Sequence, residues 1–84
     1  MYGFVVNIFE VVDLPELSLA GIRRIMRKAG AERVSRDAVE VLRDATEDFV
    51  LRVAKVAVEL AKHAKRRTVQ KSDVRKALEL VLRH

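Results

Sequence analysis

The chain has 84 residues, of which 50% are hydrophobic and 35% charged, a balance typical of one small globular domain. It contains no cysteine and two histidines, which argues against disulfides, thiolate chemistry and a structural zinc site. Residues 1–17 carry three acids and no base, whereas residues 18–84 carry a net charge of +8, which favours a polyanion such as nucleic acid as partner.

The chain begins with an arm, residues 1–16, that reads MYGFVVNIFEVVDLPE. Its β-branched residues and phenylalanines favour a strand, but Phe4, Val5, Ile8, Phe9 and Val12 also fit a helical stripe, and both readings stay open. The arm lacks the basic start of a signal peptide and is too short to span a bilayer, which predicts a soluble intracellular protein. Because the arm has many apolar residues, their burial away from water is favourable. The arm is also acidic, so we expect it to pack on protein rather than on DNA.

A short helix follows the arm. Ser18 suits the N-cap, and Leu17 with Ile22 forms a hydrophobic staple around it. Apolar residues recur at helical spacing on one face, and the opposite face holds Arg23, Arg24, Arg27 and Lys28. Gly30 is expected to end this helix, because glycine at the position after a C-cap adopts the left-handed conformation at little cost.

A long helix is predicted from a cap at Ser35 to about Ala64. At ~1.5 Å per residue it would extend ~45 Å, more than a compact domain of this size can cover. Apolar residues at heptad-like spacing form one stripe along it, and small residues form a second stripe beside the first. The helix is therefore apolar around most of its circumference. The length and periodicity therefore predict a dimer, with Leu42, Phe49, Val53 and Val56 in the interface.

The segment KRRTVQKSD forms a basic loop, and a last short helix begins near residues 70–72 with Asp73 in its first turn. The predicted elements thus follow the order short helix, loop, long helix, loop and short helix, and the chain contains the segments AGAERVS (29–35) and ELAKHAKRRTVQKSDV (59–74). In this order and in these segments, the chain resembles a histone fold of the archaeal type. The resemblance covers residues 17–82, so we divide the chain into the arm (1–16) and a histone-fold domain (17–84). The arm and Lys65, which stands where a glycine is common, depart from the family pattern.

The resemblance implies an all-α histone fold that forms a handshake dimer, with short paired strand segments at Val34 and at Thr68–Val69. It implies minor-groove insertion by Arg33 and contacts to the DNA backbone elsewhere. The DNA-binding positions that match the family are Arg24, Arg27, Arg33, Lys65, Arg66, Arg67 and Thr68. Arg66 and Asp73 match a clamp that holds the second loop in shape. Leu60, His63 and Asp73 match positions at which two dimers join, and Gly30 matches a position at which turns of a superhelix stack.

The leading interpretation is a histone that wraps and compacts duplex DNA with little sequence specificity, in the cytoplasm and associated with the chromosome. Its expected partners are double-stranded DNA and itself, as a homodimer, tetramer or filament, or a paralogous histone. We expect no enzyme activity, cofactor, metal, membrane or small-molecule substrate. The alternatives are a histone-fold protein that bridges or coats DNA without wrapping, and a dimerisation subunit of a larger protein complex.

Overall fold

The computed structural model describes residues 15–83, which contain three helices. Helix α1 spans Leu19–Lys28, α2 spans Arg36–His63 and α3 spans Lys71–Leu82. No strand occurs within this range, which confirms the all-α prediction; the strand pairs expected at Val34 and Thr68–Val69 require a second chain. The predictions made for residues 1–14 lie outside the described residues.

Two serines begin the first two helices as predicted. The Ser18 Oγ accepts a hydrogen bond of 3.1 Å from the backbone N–H of Gly21, and Ser35 Oγ accepts one of 3.1 Å from Ala38. Each hydroxyl therefore satisfies one of the N–H groups that a helix leaves without an internal partner at its N-terminus. Helix α2 has 28 residues and ends one residue before the predicted position.

The described residues form two compact units, one that ends at Glu47 and one that begins at Asp48. In the first unit, Ile22 of α1 and Val39 of α2 are buried. The Glu47 carboxylate accepts hydrogen bonds from the backbone N–H groups of Glu16 and Leu17. This carboxylate fixes the segment that leads into α1, thirty residues before it in the sequence.

The core of the second unit lies between α3 and the C-terminal half of α2. Val53 and Ala57 of α2 and Ala77 of α3 are buried together, with partly buried apolar residues packed around them. The two alanines allow the helices to approach closely, and the larger side chains fill the space beside them. None of the described helices is long and apolar enough to cross a membrane.

Large apolar side chains remain exposed on α2 and α3. Val50 and Leu51 each leave more than half of their surface open, and Val41 leaves 70%. The others on these two helices are Leu42, Val58, Val74, Leu80 and Leu82. Exposed apolar side chains along both helices are typical of a chain that buries further surface against another protein.

Candidate nucleic-acid interface

Helix α1 presents a strongly cationic surface. Four of its ten residues are Lys or Arg and none is acidic. Arg24 and Arg27 are exposed. The ion pairs between described residues lie on α2, on α3 or between Arg66 and Asp73, and none includes a cation of α1. The positive charge of α1 is therefore available to a polyanion.

The first corner, residues 29–35, connects α1 to α2. The backbone N–H of Gly30 donates to Arg27 at 2.9 Å and that of Ala31 donates to Met26 at 3.2 Å, which together form a Schellman motif. Gly30 has a φ of +112°, which side-chain-bearing residues rarely adopt, and this confirms its predicted role as the helix terminator. The corner leaves Arg33 exposed, outside any ion pair with another described residue.

The second corner, residues 64–70, connects α2 to α3 and repeats this pattern. The N–H of Lys65 donates to Lys62 at 2.8 Å and that of Arg66 donates to Ala61 at 2.9 Å. Here the left-handed residue is Lys65, at a φ of +59°. A lysine in this region has a conformational cost of ~1–2 kcal/mol, so other contacts must hold the second corner in place.

Those contacts come from Arg66. Its Nη1 donates to Asp73 Oδ2 at 2.8 Å and to the Thr68 carbonyl at 3.0 Å, and its Nη2 donates to Asp73 Oδ1 at 2.9 Å. The planar guanidinium matches the carboxylate with two parallel hydrogen bonds, the strongest form of this pair. The arginine thus ties the middle of the second corner to the first turn of α3.

Asp73 also takes part in capping the start of α3. Its Oδ2 also accepts a hydrogen bond of 2.8 Å from the backbone N–H of Gln70, the N-cap residue. The bonds from Arg66 and then that from Gln70 lower the pKa of Asp73 to about 2. The side chain is 6% exposed and stays ionised throughout the physiological range.

The pairing of Arg66 separates the cations of the second corner into two kinds. Arg66 directs its donors to three acceptors of its own chain, so its guanidinium holds the loop in shape. Lys65, Arg67 and Thr68 are exposed, and the described residues form no ion pair with either cation. The corner therefore offers two cations and a hydroxyl to a phosphate backbone.

The residues predicted for protein interfaces differ in exposure. Leu42 is 41% exposed and Phe49 and Val56 are half-buried, whereas Val53 is only 7% exposed because it packs in the core of the second unit. Leu60 is half-buried in the same core and His63 is exposed. Asp73 already uses both oxygens within its own chain, which favours its role in the clamp over contacts to a second dimer.

Comparison with known proteins identifies the family. The sequence model described as histone-like transcription factor (CBF/NF-Y) and archaeal histone matches residues 15–78. The chain therefore belongs to this histone-fold family, and residues 1–14 precede the matched region.

Its relatives within the family include archaeal histones. The chain is 48% identical over 66 residues to one of the subunits of archaeal histone HAN1 from Thermococcus zilligii, a match that covers 79% of this chain and 98% of that protein. It is also 48% identical over 65 residues to probable archaeal histone 3 of Methanocaldococcus jannaschii, covering 77% and 97%. A more distant match, 33% identical over 63 residues, is histone H4 of Encephalitozoon cuniculi, of which 61% is covered.

Proposed function

We propose that this protein is a chromosomal histone, a dimer that binds duplex DNA with little sequence specificity and wraps it. The observation that carries the proposal is the distribution of charge. Four of the eight Lys and Arg residues on α2 and α3 pair with acids of their own helices, whereas α1 contains no acid, and neither its four cations nor Arg33 has an ion-pair partner among the described residues. Such cations bind a phosphate backbone by displacing its counterions.

The dimer is supported by the apolar side chains left open on α2 and α3. Val50, Leu51 and Leu82 each expose more than half of their surface. A second copy laid along α2 would cover such side chains, and the family membership favours this arrangement. In a handshake dimer, the first corner of one chain would lie beside the second corner of the other, which would bring Arg33 close to the cations of that second corner.

The chemistry of the exposed side chains supports contacts to the DNA backbone. Arg24, Arg27, Lys65 and Arg67 carry positive charge and Thr68 supplies a hydroxyl, and both kinds of group bind phosphate oxygens. Arg33, at the tip of the first corner, is the residue that we assign to the minor groove. Specificity would then follow from how easily a DNA site bends.

A second candidate is a dimerisation module within a larger protein complex, since the family also includes histone-like transcription factors. Four cations and no acid on α1 disfavour it, because a surface that contacts protein is usually depleted in unpaired charge. Bridging or coating of DNA without wrapping would use the same cations, and the size of the DNA that the protein protects distinguishes it from wrapping.

Micrococcal nuclease digestion of reconstituted complexes tests the proposal. Wrapping predicts protected fragments of defined length, either a single length for a closed unit or a regular ladder for stacked dimers. Arg33→Ala should weaken binding about tenfold and reduce protection, as expected for loss of one groove-inserted arginine. Arg52→Ala, on an exposed α2 pair with Asp48, is the matched control and should leave protection unchanged. Absence of protection at low salt with the wild-type chain would refute wrapping.

A further inference from the structure

A groove of about 340 Å³ runs along one side of α1. Its lining is part apolar and part cationic, with Leu17, Ile22 and Ile25 beside Arg24 and Lys28. Ile25 leaves 61% of its surface exposed. A ligand with both apolar and acidic groups would therefore complement this groove.

The chain itself contains a segment with this composition. Residues 1–14 carry seven apolar side chains between Phe4 and Val12. The same fourteen residues include two acids, Glu10 and Asp13, and no Lys or Arg. They therefore complement both the apolar floor and the cationic rim of the groove.

The connection to α1 places this segment at the mouth of the groove. Glu47 fixes the backbone at Glu16 and Leu17, and Leu17 is itself a lining residue. The groove from residue 17 to residue 28 is ~16 Å long, whereas fourteen extended residues reach ~46 Å. A short tether of this kind gives an effective concentration on the order of millimolar.

We propose that residues 1–14 bind along this groove of their own chain and compete with DNA for α1. Their apolar side chains cover the exposed Leu17 and Ile25, and their acids pair with Arg24 and Lys28. The docking stands on the groove alone, whereas the competition rests on the proposed function, because Arg24 is one of the proposed DNA contacts. The segment thus acts as an internal inhibitor that DNA must displace.

A spin label tests the docking without DNA. The chain has no cysteine, so Val5→Cys gives a single labelling site in the full-length protein. The label should broaden the backbone amide signals of residues 21–28, and Glu10→Gln with Asp13→Asn should reverse this. The matched control, Glu59→Gln with Glu79→Gln, removes two exposed acids elsewhere and should leave the broadening intact.

Two results of this measurement would overturn the docking. One is the absence of broadening in residues 21–28. The other is broadening that arises only when the label is on a different chain from the isotope, in which case a second copy occupies the groove.

DNA affinity of the same full-length variants tests the competition. If the segment is docked about four-fifths of the time, removing its two acids should tighten binding about fivefold beyond the matched control at low salt. An equal change in both variants would reflect net charge alone and overturn the competition. If no variant binds DNA while the broadening persists, the proposed function fails and the docking stands.

Discussion

The first and second corners close with the same two backbone hydrogen bonds, but they differ in the residue at the bend and in its surroundings. The first uses Gly30, and a Cβ added there would meet no atom within 4 Å. The second uses Lys65 and is held by the Arg66–Asp73 pair. One corner thus depends on backbone freedom and the other on a side-chain clamp, so the two should respond to different substitutions.

Breaking the clamp should have the largest effect. Asp73→Asn keeps an acceptor for the Gln70 N–H but removes the charge that pairs with Arg66. We expect the thermal unfolding midpoint to fall by several degrees, and DNA binding to weaken because the second corner loses its shape. Circular dichroism would measure the unfolding midpoint, and fluorescence anisotropy would measure the DNA affinity. Asp44→Asn, which removes an exposed partner of Arg43, should change neither appreciably.

The clamp also predicts a dependence on acid. The pKa of Asp73 is lowered from 3.8 to about 2, so its ionised form stabilises the folded chain above pH 4. This contribution is lost as the pH falls from about 4 to about 2. Urea unfolding of wild type and Asp73→Asn across this range should show their difference in stability shrinking with acid. A difference that stays constant would contradict the assignment.

The first corner should be sensitive to its glycine. Gly30→Ala places a side chain at a φ of +112° and should lower the free energy of unfolding by about 1–2 kcal/mol. The cost is purely conformational, because no neighbouring atom obstructs the new Cβ. Chemical denaturation would measure it. Gly21→Ala offers a comparison with Gly30→Ala. Gly21 is helical, so alanine there is free of left-handed strain, but its added Cβ would lie 3.2 Å from Ser18 Oγ.

The smallest effect should be a gain of stability at the second corner. Lys65→Gly relieves the left-handed lysine and should stabilise the fold by about 0.5–1 kcal/mol, after allowance for the greater entropy of glycine in the unfolded chain. Lys65→Ala removes the same charge and keeps the strain, so it should not stabilise. Both variants should weaken DNA binding alike. A glycine variant less stable than the alanine variant would show that Lys65 is unstrained, because only the entropy cost of glycine would then remain.

The sequence predicts the first corner better than the second. Gly30 and Ser35 act through neighbours within four residues, so their roles follow from local spacing. Lys65 gives no such signal, since lysine seldom adopts a positive φ. Lys65 stands where a glycine is common in the family, but its positive φ is visible only in the structure.

Long-range contacts are the other part that the sequence did not predict. The bonds from Glu16 and Leu17 to Glu47 join residues about thirty positions apart, and no periodicity marks them. The pairing of Arg66 with Asp73 was suggested only by the family resemblance, and its geometry came from the structure. The choice of DNA-binding residues remains a proposal that the variants above would test.

The hydrogen bonds that the Glu47 carboxylate accepts form an anchor for residues 16 and 17. This anchor makes the position of α1 independent of the length of the chain that precedes it. Because the carboxylate holds the backbone at residues 16 and 17, a change in the number of residues before them leaves the start of α1 in place. Neither corner contributes to this anchor. Extensions of different length or composition could therefore be exchanged at this point without disturbing the helices of the histone fold.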